Sequence, residues 1–588
     1  MISMKKLTIL FLSAACFCTV LSSCKKMLDV MPGDELDQSQ MYRNVYDADA
    51  AVIGIYGKFQ GLAERYILLN ELRADMLNYT ENADENLRQL SSHSVAEDNP
   101  YASPRPFYEV ILNCNDVLKN FDIMLKDKKM KESEYASRYA DITCLRSFLY
   151  LQLGIHYGEI PYVTSPLESV EAVKDAKNYP KLSFDALLDT LIKATEALTY
   201  KDEYPSGTSP NINVDGYPTV KWFINKKVLL GDLNLWKGNY VQAATYYRQV
   251  METAANNSND ATMYTMYKLG WDSNGDMDHY ISYGRISDAQ SLVWNTQWRI
   301  MYEQAANSKG YEREWVWAIP FDSKFKPENP FVKLFSPIGG KYLVKPSQEA
   351  FDNWNSQQQL GNTSAPAVPG LPYDARGILT CQNINGQPVV MKYLWNYLNW
   401  STMLPVDMLK RNSTWFLFKQ THLHMRFAEA ANRAGKHLLA WGLFNNGIAG
   451  AYPAPTSDVT NYHNTLFEPY PFNFDARNSG SSGIPYYRAS WYRNIGIRRR
   501  ANLVNYAIAP GADSTLAIES GLINETALED AYEGTRWPDL LRVALRRNDP
   551  SFLAEKVYQK LKKDNVPGAE AARAKLMDKS GWYLPFKF

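Results

Sequence analysis

Leu230-Gly231-Asp232-Leu233-Asn234-Leu235-Trp236-Lys237-Gly238-Asn239-Tyr240-Val241-Gln242-Ala243-Ala244-Thr245-Tyr246-Tyr247 carries a spacing that returns later in the chain. In this copy Leu230-Gly231 stands seven residues before Gly238, and Ala243 stands four before Tyr247. In the second copy Phe427-Ala428 stands seven residues before Gly435, and Ala440 four before Phe444. Small residues at such positions let two helices cross closely, and the aromatic fills the next groove. Both copies lie on stretches whose apolar residues already recur with the helical period.

Outward from this pair, helical periodicity covers about 45–77, 107–125, 132–157, 184–198 and 221–253, then about 422–444, 501–507, 525–547 and 552–562. Residues 78–104 are polar and rich in Asn, Ser and Pro, which predicts a long loop. The middle changes character. Trp315-Val316-Trp317-Ala318-Ile319 is aromatic and β-branched, as strands are, and residues 321–390 are punctuated by Gly, Pro and Asn. Residues 445–488 lack any period, and so long a connection predicts a functional loop. The fold class that follows is mostly α: helix-hairpin repeats beside an irregular, loop-rich part with short strands. The repeat matches part of the tetratricopeptide pattern, leucine-glycine followed by alanine-x3-aromatic.

The N-terminus sets the compartment. Lys5 and Lys6 precede an apolar run from Leu7 to Val20, too short to span a bilayer and suited to an export signal. The run ends in Leu21-Ser22-Ser23-Cys24, a bacterial lipobox. The expected organisation is a lipoprotein signal peptide over 1–23, a lipidated tether over 24–40 with Cys24 as the acylated residue, and a folded body over 41–588. Each buried acyl CH₂ adds about 0.8 kcal/mol to membrane attachment. Two or more chains on Cys24 would hold the protein firmly at a membrane surface.

Composition narrows the function. Sixty-three Lys plus Arg balance 63 Asp plus Glu, so the basic excess of a general nucleic-acid binder is missing. Loss of Lys5 and Lys6 leaves the mature chain slightly acidic. Aromatic residues make up 13%, and 39 Tyr and 15 Trp dominate them. Those two types pair a flat apolar face with a polar handle. Beyond Cys24 the mature cysteines are Cys114, Cys144 and Cys381, an odd, widely spaced set that reads as free thiols, with Cys114 and Cys144 buried. No zinc-protease, serine-hydrolase, P-loop or dinucleotide motif is present, which points away from an enzyme and a cofactor. His422 and His424 are two apart and share no helical face. Asp272, Asn274, Asp276 and Asp278 offer oxygen ligands for calcium, but the Gly is misplaced for an EF-hand, and an Asx-rich turn is the better reading.

Several further segments stand out in order along the chain. They are Leu28-Asp29-Val30-Met31-Pro32, the helix 47–56, Glu71-Leu72-Arg73-Ala74-Asp75, and Phe107-Tyr108-Glu109-Val110-Ile111 with Asn115. Leu145-Arg146-Ser147-Phe148-Leu149-Tyr150 through Tyr157-Gly158-Glu159-Ile160-Pro161, Asp374-Ala375-Arg376, and Glu533-Gly534-Thr535-Arg536-Trp537-Pro538-Asp539-Leu540-Leu541-Arg542 complete the set. Taken in this order they resemble the SusD/RagB family of Bacteroidetes outer-membrane lipoproteins, and Pro538 departs from that family's helical motif. The resemblance implies one SusD-like domain over 41–588, with an N-terminal part to about 260 and a C-terminal SusD/RagB part from about 261. It implies a non-catalytic nutrient binder, most often for a glycan, lipid-anchored in the outer membrane, facing the cell exterior and serving a SusC-like TonB-dependent barrel. Peptide capture on the same fold, a surface glycosidase and an assembly scaffold are the alternatives.

A glycan binder needs flat apolar faces for sugar rings and Asn, Asp or Arg for hydroxyls. Tyr79, Asn82 and Arg88 supply these in the polar loop where the family keeps part of its binding site. Arg73 and Asp75 just before it are further candidates, with a structural ion pair between them favoured. Trp298 and Tyr302, flanked by polar residues, are expected to form an exposed platform. Trp354 and Trp271 are weaker candidates. Trp315 and Trp317 share one strand face and are expected in the core.

Overall fold

The computed structural model describes residues 41–167, 179–199, 204, 210–251, 297–303, 315–360, 373–455, 462–479, 487–489, 491 and 494–587. Cys24, the tether, Trp271 and the acidic turn at 272–278 lie outside them.

The helices used below are α1 (Val45–Gln60), α2 (Arg105–Lys126), α3 (Glu132–Tyr157), α4 (Phe184–Glu196), α5 (Lys226–Lys237), α6 (Tyr240–Met251), α7 (Gln420–Arg433), α8 (His437–Phe444), α9 (Ser514–Glu529), α10 (Arg536–Arg547) and α11 (Pro550–Lys563). From α2 to α8 each packs on the next, and α7 and α8 both pack on α9. The two copies of the repeat are therefore the hairpins α5–α6 and α7–α8, and they stack directly through α6 and α7. Their small residues sit where the spacing requires. A Cβ on Gly231 would lie 2.4 Å from a ring carbon of Tyr247. That ring is fully buried, and its hydroxyl donates to Asp232 at 2.6 Å. Gly238 ends α5 in the left-handed conformation (φ +91), which glycine adopts without a Cβ clash. In the second hairpin Ala428 and Phe444 are fully buried.

Several boundaries differ from the sequence reading. The helical run at 45–77 breaks at Gly61 and ends at Leu72, before the strand Leu77–Tyr79, and the aperiodic stretch at 445–488 holds a short helix, Gly447–Ala451. The polar loop at 78–104 contains a helix, Glu85–Ser91, whose N-terminus is capped by Asp84. Seven residues are too few to show a period. Residues 501–507 are not helical; the helix there is Ile497–Arg500. The run at 525–547 is two helices, because Tyr532 and Gly534 take positive φ (69° and 85°) and turn the chain between α9 and α10. Pro538 falls in the first turn of α10, where an N–H has no intrahelical acceptor to lose.

Four strands matter. β1 (Leu77–Tyr79) pairs antiparallel with β3 (Val344–Pro346), and β2 (Trp315–Phe321) with β4 (Ser413–Lys419). The described sheets are all two-stranded. Every residue of β2 and β4 is buried, so both faces of this ribbon are covered, which is why 315–319 reads as unbroken apolar sequence. Phe59 of α1 stacks on Trp317 of β2 and Trp415 of β4, with centroids 5.4 and 4.8 Å away, and seats the helix on the ribbon. Trp315 and Trp317 are core residues, and Cys114, Cys144 and Cys381 are buried free thiols. Among the described residues no helix is long and apolar enough to cross a membrane.

Candidate ligand-binding surface

The segment before the polar loop forms a buried clasp. Residues Leu68–Leu72 make a π-helical turn that carries Glu71 to the start of α10. There Glu71 Oε1 accepts the N–H groups of Gly534 (2.7 Å), Thr535 (2.9 Å) and Arg536 (3.4 Å), donors that a helix start leaves unpaired. Burial still pushes the Glu71 carboxyl up, to about 8, against those bonds. Asp75 takes Arg536 with both oxygens, each at 2.6 Å, across 461 positions of sequence. Arg73 lies 4.0 Å from the Trp537 ring centroid and donates to the Trp582 carbonyl at 2.6 Å.

This corrects two expectations. Arg73 and Asp75 do not pair with each other, because both are engaged by residues from the far end of the chain. Nor do they reach a ligand from solvent: they are 1% and 2% exposed.

The expected platform is also corrected. Trp298 and Tyr302 are both fully buried. Trp298 Nε1 donates to Thr380 Oγ1 (3.0 Å), and the Tyr302 hydroxyl donates to Glu533 Oε1 (2.8 Å). Their polar surroundings are a buried ion cluster. Lys392 and Lys419 reach Glu533 Oε1 at 2.5 and 2.9 Å, and their ammonium groups lie 5.2 and 5.3 Å from the Trp298 ring centroid. Aromatic faces line these cations as they line cations elsewhere. His422, Asp530 and Glu533 meet in the same cluster with metal-like spacing. Lys419 stands 3.1 Å from Asp530 and 2.9 Å from Glu533, so an ammonium already supplies the positive charge. Trp354 is buried too, its Nε1 donating to the Leu528 carbonyl.

Three sequence candidates remain near the surface, and the fold brings them together. Tyr79, at the end of β1, is half-buried. The Arg88 guanidinium lies 5.3 Å from its ring centroid and donates to the carbonyls of Ala83 (3.1 Å) and Glu81 (2.9 Å). Asn82 is exposed, and its Nδ2 donates to the Lys341 carbonyl at 3.2 Å. Thr80 ties the same turn to residues 342–343 through two further bonds. The result is one ring with a cation beside it and an amide at its rim, fixed on two backbone segments.

A second surface is an open cleft of about 410 Å³ between residues 322–329 and 408–411. Its size falls in the range of small-molecule sites. By contrast, the space beside Tyr66, Phe148 and Arg426 measures about 40 Å³, room for water only.

No protein-family model matches this sequence, and no curated protein matches it. Solved structures do. A SusD superfamily protein from Bacteroides vulgatus aligns with a TM-score of 0.58 at 13% identity, covering 92% of this chain and 96% of its own. A SusD-like carbohydrate binding protein from Bacteroides fragilis aligns at 0.54 and 14% identity, covering 87% and 88%. Surface glycan-binding protein A from Bacteroides uniformis aligns at 0.52 and 14% identity, covering 92% and 95%. The chain has the SusD-like fold.

On this SusD-like body, other exposed apolar side chains went unmarked in the sequence. Trp400, Leu404, Val406, Met408 and Leu409 are between 50% and 85% exposed on one irregular segment. Phe467 (74%) and Tyr470 (45%) stand on the long aperiodic stretch. Leu404, Val406 and Met408 alternate with Pro405 and Asp407 at the strand period, but Pro405 and the adjoining Leu409 break it, so the run marks no regular element.

Proposed function

We propose that this chain is a non-catalytic, lipid-anchored protein of the outer-membrane surface that binds an oligo- or polysaccharide and delivers it to a SusC-like TonB-dependent transporter. The observation that carries the reading is the SusD-like fold over nine-tenths of the chain, shared with a protein described as a surface glycan-binding protein. The lipobox ending in Cys24 and the Tyr79–Arg88 pair beside Asn82 support it. The body at 41–588 is proposed as one SusD-like domain.

The test is isothermal titration of the purified protein against a panel of polysaccharides, oligosaccharides and peptides, with co-purification from the native membrane. Binding to a saccharide is expected, with Tyr79→Ala weakening it about tenfold through loss of the stacking face. Silence across the saccharides with binding of a peptide would replace the glycan, and cleavage of any bound saccharide would overturn the non-catalytic role.

A further inference from the structure

The cleft between residues 322–329 and 408–411 has walls that are laced together. Asn412 Oδ1 accepts the Ser323 N–H at 3.2 Å, and Asn329 Nδ2 donates to the Arg411 carbonyl at 2.8 Å. Such cross-links hold a site in shape before a ligand arrives. One wall carries the Phe325 ring, half-buried and edge-on to Tyr217 with centroids 6.2 Å apart. The other carries Met408 and Leu409, 50% and 85% exposed. The apolar part is therefore suited to the C–H face of a sugar ring.

The charged groups of the cleft are unequal. Asp322 is buried and fully engaged: it accepts from the Tyr217 hydroxyl (2.7 Å), Asn412 Nδ2 (3.1 Å) and the Lys324 N–H (3.0 Å). Glu328 is tied to Lys326 at 2.5 Å. Arg411 is held through its backbone alone. Its exposed guanidinium makes no hydrogen bond and no ion pair among the described residues, and neither does the exposed Lys324 ammonium. The cleft thus has its anions held by hydrogen bonds or an ion pair, while the Arg411 guanidinium and the Lys324 ammonium act on Glu328 and Asp322 only through charge, adding to the lowering of both carboxyls without direct contact. A free guanidinium fork matches a carboxylate with two parallel hydrogen bonds.

We propose that this cleft is a subsite for a saccharide bearing a carboxylate, a uronic acid, with Arg411 pairing the carboxylate and Lys324 adding to the local positive charge. The proposal rests on the glycan-binding reading above and adds the class of glycan. The Phe325, Met408 and Leu409 side chains pack on the ring while Arg411 fixes its charged edge.

The test is calorimetry on the full chain with galacturonate, guluronate, mannuronate and glucuronate tetrasaccharides, each beside its uncharged methyl ester, and with tetraglutamate. At least one acid is expected to bind about tenfold more tightly than its own ester at low salt. That preference should shrink as salt rises, collapse in Arg411→Ala and survive in part in Arg411→Lys. The Arg411→Ala chain should unfold at the wild-type midpoint, since the side chain makes no bond. Acids and esters binding alike, or no uronate binding while neutral glycans from the wider panel bind, overturns the proposal and leaves the glycan reading standing. Binding of tetraglutamate alone, with every saccharide silent, overturns both.

Discussion

Replacing Asp75 with Ala separates a structural role from a ligand role for the segment 71–75. In the structure the carboxylate takes Arg536 bidentately at 2.6 Å, and both side chains are 3% exposed. Removing it leaves a buried guanidinium with one remaining acceptor, the Ile523 carbonyl at 2.8 Å, while Nε and Nη2 lose theirs. Breaking a buried ion pair from one side costs about 3–5 kcal/mol. Asp75→Asn keeps the shape and one oxygen acceptor and should cost less, about 2 kcal/mol. The double replacement Asp75→Leu with Arg536→Met removes both charges and should recover much of the loss. Equilibrium urea unfolding followed by circular dichroism measures these differences, and titration with whatever saccharide the panel identifies measures affinity. The expected result is a large drop in stability with affinity unchanged in the fraction that remains folded. An Asp75→Ala chain within about 1 kcal/mol of wild type that loses saccharide binding would refute the clasp and return Asp75 to the ligand site.

Two further outcomes follow from the packing. Gly231→Ala drives a methyl against the Tyr247 ring, which is pinned by its bond to Asp232, so it should destabilise by about 1–3 kcal/mol less a fraction regained from helix propensity; a neutral or stabilised variant in urea unfolding would contradict the close crossing. Burial alone would raise the Glu429 carboxyl, but the guanidinium groups of Arg542 and Arg546 overcome it and hold it down at about 2. A depressed acid stabilises the folded state above its unfolded value near 4.5, and this is lost as pH falls toward 2, on the order of 3 kcal/mol. Unfolding free energies measured from pH 6 down to pH 2 should therefore converge between wild type and Glu429→Gln, and parallel curves would count against the assignment.

Much of the helical body was legible because its signals are local. The helix 132–157 and the hairpins 226–251 and 420–444 were readable within one or two turns of chain, from apolar period and small-residue spacing. Boundaries failed where a local reversal interrupts a good period, as at Tyr532 and Gly534, or where a helix is too short to have one, as at Glu85–Ser91. The candidate site was less legible. Tyr79, Asn82 and Arg88 stay near the surface and adjoin one another, but Trp298 and Tyr302 do not, because polar neighbours in sequence mark a buried ion cluster as readily as a wet surface.

From the residues alone came the expectation of an export leader with a lipobox, the balance of charge, the repeated helix hairpins and the strand character of 315–319. Each is written within a few residues, where backbone geometry and periodicity act directly. Tertiary structure alone decided that Glu71, Arg73 and Asp75 are a core clasp, that the Trp298 ring lines buried ammonium groups, and that the Arg411 guanidinium stands open beside Phe325. Exposure and pairing depend on partners hundreds of positions away, as Asp75 and Arg536 are, and no local pattern encodes which distant charge will arrive.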